Sequence, residues 1–152
     1  MAIKKDYEEL KKMYKLPSYD EINNDFEISC LEDEKFLLRT IRRKIVEKLD
    51  AYSKIIEQVL MPESNQISLV ECQIITDEEK KELYNLFKRL VYFDRLSIET
   101  SINEDDKKTS DFINEFWKEW PSIKEQLSEV MSKLKQGWTK EIKLKEERNY
   151  LG

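Results

Sequence analysis

A chain of 152 residues carrying a net charge of −5 and no histidine is the size of one domain with its own hydrophobic core. Its acidity argues against a nucleic-acid binder that draws its affinity from phosphate neutralisation. The missing histidine excludes Ser-His-Asp and Cys-His nucleophiles and the Glu-x-x-His di-iron motif. Two glycines and three prolines leave no phosphate loop or dinucleotide fingerprint, and too few turn residues for a sheet-rich fold. Gly152 is terminal, so Gly137 alone is available for an internal turn that needs positive φ. The expectation is an all-α single domain over residues 1–152. Its core is an antiparallel bundle of three long helices, the last kinked at Pro121, preceded by short N-terminal helices.

In chain order, Ile3, Tyr7, Leu10 and Tyr14 recur at helical spacing before Pro17 stops the run, which predicts a short docking helix. Ser18-Tyr19-Asp20-Glu21 has the form of a capping box and opens a second short helix, so residues 1–30 read as docking helices. The first core helix is expected over 31–61, with a stripe of Leu38, Ile41, Ile45, Tyr52, Ile56 and Val59. Its start carries Glu32-Asp33-Glu34, acids that suit the positive end of the helix dipole. Pro62 ends it. Residues 63–75 read as an ordered connection with a helical turn or a minor strand.

Thr76-Asp77-Glu78-Glu79 is a second capping box, opening a helix over 77–102 striped by Leu83, Leu86, Phe87, Leu90 and Phe93. Asn103 to Ser110 reads as a solvated polar loop. The third core helix, over 110–140, keeps one apolar phase through Phe112, Phe116, Trp120, Ile123, Leu127, Val130, Leu134 and Trp138. An interior proline costs ~3 kcal/mol, and this unbroken phase favours a kink at Pro121 over a break. Residues 141–152 read as a frayed tail. No signal peptide or membrane span is visible. Cys30 and Cys72 lack CxxC spacing and read as reduced thiols, which places the chain in the cytoplasm.

Four constellations invite a functional reading. Glu78, Glu79 and Glu82 form the Glu-Glu-x-x-Glu pattern and resemble the magnesium site of the all-α nucleoside triphosphate pyrophosphohydrolases. That resemblance implies helical carboxylates holding Mg²⁺ against a triphosphate. The family's second Glu-x-x-Asp is missing, and acids in a first helical turn are expected for dipole reasons alone, so capping is preferred and no metal or cofactor is assigned. Arg39, Arg43 and Lys44, with Arg42 between them, are the candidate phosphate or RNA contacts. Pairing of Arg43 with Glu47 and Asp50 is the plainer reading. Trp117 lies about 100° round from the Phe116 line and is the candidate partner-binding aromatic. Asp94 falls near the line of Leu83, Phe87 and Leu90 and needs a cation, and levelling the two flanking helices makes Arg42 its expected bidentate partner.

Arg39-Thr40-Ile41-Arg42-Arg43-Lys44 together with Trp117-Lys118-Glu119-Trp120-Pro121 resembles small uncharacterised helical proteins of archaea, a likeness that implies no activity. The functional expectation is therefore a non-enzymatic bundle that binds another protein or itself, with no membrane partner and no catalytic residue. The alternatives are the Mg-dependent phosphohydrolase and a nucleic-acid or ribosome accessory factor.

Overall fold

A computed structural model describes residues 2–32 and 35–140. Among them the chain is all-α: α1 (Ala2–Tyr14), α2 (Tyr19–Phe26), a 3-10 turn (Ile28–Cys30), α3 (Leu37–Leu60), α4 (Gln66–Ile74), α5 (Asp77–Ile102) and α6 (Asp106–Gly137), with no strand. No described helix is long and apolar enough to cross a membrane. The expected tail, residues 141–152, lies outside the described residues, as do Asp33 and Glu34.

The caps explain most of the boundaries. Ser18 Oγ accepts from the Glu21 N–H at 3.2 Å and starts α2. Thr76 and Glu79 form the full reciprocal box at the head of α5: the Thr76 N–H donates to Glu79 Oε1 at 2.9 Å, and the Glu79 N–H to Thr76 Oγ1 at 3.2 Å. The third core helix starts at Asp106, four residues earlier than expected, because Asp105 caps it by accepting from the Lys108 N–H at 2.8 Å. Conversely, α3 starts six residues later than expected, since a 3-10 turn and extended backbone at Leu31 occupy the preceding chain. The acidic stretch that includes Glu32 is therefore not its first turn. Residues 63–75, left open between helix and strand, contain α4. Asn65 caps it, and buried Ser68 ties it down: its Oγ donates to the Gln58 carbonyl and accepts from the Glu63 N–H, both at 2.9 Å.

Glycine is used differently from the expectation. Among the described residues no glycine has positive φ, and the two left-handed positions belong to Lys15 and Glu27, each at φ 54°. Such a residue costs ~1 kcal/mol or more. Side chains hold both corners in place. Asn114 Nδ2 donates to the Tyr14 carbonyl at 3.0 Å and Tyr7 Oη to the Pro17 carbonyl at 2.6 Å. Past the second corner, the Ser29 N–H donates to Asn23 Oδ1 at 2.8 Å. Gly137 lies inside α6, where its missing Cβ leaves room for Ile74.

The chain folds into two compact units, the first from residues up to Ala51 together with Leu90–Pro121, the second from Tyr52–Arg89 and the residues from Ser122 onward. The first has an aromatic core. Phe116 meets Phe93, Phe112, Phe26 and Trp120 with ring centroids 5.3 to 6.4 Å apart, an edge-to-face and offset arrangement that suits ring quadrupoles. The N-terminal helices dock on it through Ile3, Tyr7, Ile22, Phe26 and Ile28, all buried. Trp120 finds a polar partner in Asp25, its Nε1 donating to Oδ2 at 2.8 Å. Burial of the Tyr7 phenol raises its pKa, with Glu8 and Glu21 adding to the effect.

The second unit has an aliphatic core of Ile56, Val59, Val70, Leu83, Leu86, Ile123, Leu127 and Leu134. Trp138, expected on the core stripe, lies instead just past the end of α6 and is 45 % exposed, its Nε1 donating to Glu71 Oε2 at 3.1 Å. Pro121 itself is exposed, and α6 runs through it as one helix.

A Cβ at position 137 would sit 2.7 Å from Ile74 Cγ1 and 2.9 Å from Cγ2, so both branches of that side chain are in the way. Alanine would gain ~1 kcal/mol in helix propensity, whereas overpacking costs ~1–3 kcal/mol. Gly137→Ala should therefore lower the thermal midpoint, yet raise it when made in an Ile74→Ala background. Denaturation of the four proteins of that cycle checks both signs.

Candidate functional site

Helical geometry disperses the basic cluster of α3. Arg42 is 6 % exposed and points into the first unit, where Nε and Nη2 donate to Glu104 Oε2 and Oε1 at 2.9 and 2.8 Å, and Nη1 donates to Ser97 Oγ at 2.6 Å. Arg39 lies across the same connection. Its Nη2 donates to the Glu104 carbonyl at 3.1 Å, its guanidinium stands 4.5 Å from the Phe36 ring centroid, and its buried Nε has no partner. Arg43 is exposed and Lys44 half-buried, and neither makes an ion pair among the described residues, so the expected pairing of Arg43 is absent.

The expected Arg42–Asp94 bridge is therefore corrected. Arg42 is bidentate to a carboxylate, but that carboxylate is Glu104, while Asp94 pairs with its neighbour Arg95 at 2.5 Å on the surface. The cause is the phase of α5. Its buried line is Leu83, Leu86, Leu90, Phe93, Ser97 and Thr100, and Asp94 lies at its edge, about 70° from the centre of that line. Ser97 occupies the place facing Arg42. Glu104 belongs to the short connection between α5 and α6, a stretch whose polar composition predicts a solvated loop. Its side chain is 7 % exposed, and neighbouring Thr109 and Ser110 are buried with their hydroxyls bonded to backbone carbonyls one turn back. Burial raises the Glu104 carboxyl. Hydrogen bonds from Arg42 and Thr109, with the charges of Arg42 and Arg39, outweigh that and hold its pKa below the usual carboxylate value.

The other candidates resolve as follows. Glu79 is committed to the α5 cap and to an ion pair with Lys133 of α6, whereas Glu78 and Glu82 are exposed. Among the described residues no three Cys, Asp or Glu side chains group as a metal site would need. Trp117 is half-buried, with its ring 6.2 Å from Phe26 in edge contact, so it packs on the first unit's core rather than standing free. Cys30 and Cys72 are both free thiols.

What the sequence patterns missed is a groove in the second unit. It has a volume of about 510 Å³, lies between the end of α3 and the start of α5, and is walled by Leu60, Met61, Tyr84 and Phe87 with Lys80 and Lys81 beside them. Met61 is 74 % and Tyr84 53 % exposed. Met61 is placed there because its N–H closes the last turn of α3 on the Glu57 carbonyl at 2.7 Å, and Pro62 prevents a further one. Tyr84 stands opposite the α5 core line, one residue after buried Leu83. The available signal was a large apolar residue at the very end of a helix and another off the stripe. A second cleft, of about 500 Å³ between α5 and α6, is acidic, with Glu79, Glu82 and Glu129 about Lys133.

No family model, curated protein or solved structure is similar to the chain.

Because the folded pKa of Glu104 is depressed, its contribution to stability is present above the unfolded-state value and is lost as pH falls through the folded one. Glu104→Gln should therefore cost stability at neutral pH, and the gap to the parent should close in acid. Arg42→Ala should cost ~3–5 kcal/mol by stranding Glu104, the joint change of Arg42 and Glu104 to leucine should be much milder, and Asp94→Ala should be close to silent. Urea unfolding of these variants across pH checks the set.

Proposed function

We propose that the chain is a non-enzymatic helical protein that acts by binding another protein chain through the α3–α5 groove of its second unit. The observation that carries this reading is the exposure of Met61 and Tyr84 beside half-buried Leu60 and Phe87. Single exposed apolar residues are ordinary, but a clustered set lining one concavity is what interaction surfaces present. The groove brings together no nucleophile and base, while Arg39, from the candidate phosphate contacts, and Glu79, from the candidate metal carboxylates, are engaged by the Glu104 carbonyl and by the α5 cap with Lys133. Two free thiols suit a reducing compartment, and we place the protein in the cytoplasm.

The test is native mass spectrometry and sedimentation of the purified protein beside Met61→Ser and Tyr84→Ser. A stoichiometric protein complex or self-association should be present in the parent and lost in both variants, with thermal midpoints nearly unchanged because both side chains are already exposed. A partnerless monomer that turns over nucleoside triphosphates with Mg²⁺, and loses that turnover in Glu82→Gln, would overturn it.

A further inference from the structure

The occupant of the groove can be stated more closely, a step that rests on the function proposed above. We infer that the α3–α5 groove takes an amphipathic helix with acidic flanks, supplied by a different protein. Charge is the first ground. The chain carries a net −5, yet this groove is lined by Lys80 and Lys81, and Lys88 holds its Nζ 5.3 Å from the Tyr84 ring centroid. The one acid on the lining is Glu57. Lys81 and Lys88 are exposed and make no ion pair among the described residues, and Lys80 is engaged by Cys72 Sγ at 3.3 Å, a weak acceptor. Positive groups gathered at an apolar slot on an acidic protein select for a partner that brings carboxylates to the rim and apolar side chains to the floor.

The second ground is geometry. Recognition by strand addition needs an exposed sheet edge, and the described residues contain no strand. A slot between two helix segments, walled by Leu60, Met61, Tyr84 and Phe87, suits apolar anchors one and two turns apart along a docked helix. A second copy of the chain is a poorer occupant, since two molecules of net −5 repel at long range. Exposed Lys81 and Lys88, two turns apart on α5, have the reach to pair with glutamates on the side of such a helix that faces α5.

The probe is a fluorescein-labelled peptide of about 18 residues, with leucines at i, i+3, i+4 and i+7 and glutamates flanking them, set against the same peptide with lysines in place of the glutamates. Anisotropy gives the affinity, and amide chemical shifts in labelled protein give the place. The glutamate peptide should bind saturably, with shifts centred on Met61 and Tyr84, and at least about tenfold more tightly than the lysine peptide. Lys81→Glu with Lys88→Glu, or about 1 M salt, where the Debye length is ~3 Å, should weaken it by a similar factor. Tyr84→Ser should abolish binding while leaving the circular dichroism unchanged. Equal binding of the two peptides, shifts centred elsewhere, or displacement by an oligouridylate would overturn the inference. Dimerisation through Met61 and Tyr84, with no binding of either peptide, would overturn it and leave the proposed function standing. A monomer that binds neither peptide and co-purifies with no protein would remove both.

Discussion

A guanidinium as deeply placed as that of Arg42 sets terms for everything around it. Moving such a charge out of water costs several kcal/mol even after relaxation, so the first unit is stable only in arrangements that offer its N–H groups acceptors. Ser97 on α5 and both oxygens of Glu104 do so. One turn of sliding, about 5.4 Å, would bring Phe93 or Thr100 to the place of Ser97 and remove the fork from Glu104. Buried ion pairs of this kind often add little over well-packed apolar replacements. What this one supplies is a single permitted register, and it reaches beyond the two helices: the connection that carries Glu104 is also held by Arg39 on its carbonyl and by Thr109 on its carboxylate. The Glu104 side chain thereby becomes part of the interior, while Asn103 and Asp105 on either side of it stay exposed.

Where neighbouring residues decided the structure, the sequence was legible. The Thr76–Glu79 box is local chemistry, and α5 begins where it says. The 3.6-residue stripes of α3, α5 and α6 placed most of the core that those three helices supply, although Leu37, Leu49 and Ile113 are buried beside them and Tyr52 and Val130 are only half-buried. Polar residues misled wherever their partners are distant or lie in their own backbone. Thr109 and Ser110 look like loop, but hydroxyls that bond a carbonyl one turn back can be buried inside a helix. Asp94 reads as a buried acid on the line of Leu83, Phe87 and Leu90, but Phe87 is only half-buried and the buried face is centred nearer Leu86, Phe93 and Ser97, roughly 60° round the helix. Trp138 continues the spacing of α6 beyond the helix that gives the spacing meaning. The groove was invisible because concavity belongs to no single helix.

The start of α5 shows how folding sorts a mixed run of charge. Glu78-Glu79-Lys80-Lys81-Glu82 reads along the chain as near-neutral. Wound into a helix, Glu79 and Glu82 turn to the cleft against α6, while Lys80 and Lys81 turn to the groove against α3. One helix thus presents opposite potentials on two sides, without any block of like charge in the sequence.

The three tryptophans divide unevenly, and this gives the molecule an optical asymmetry. Trp117 packs on Phe26, and Trp120 is 3 % exposed and bonded to Asp25, both in the first unit, whereas Trp138, in the second, stands nearly half in water. Indoles in these two settings emit at different wavelengths and differ in their exposure to a dissolved quencher. Intrinsic fluorescence therefore carries two separable signals, one for each unit, and their coincidence or divergence on denaturation reports whether the two melt as one without any label being attached.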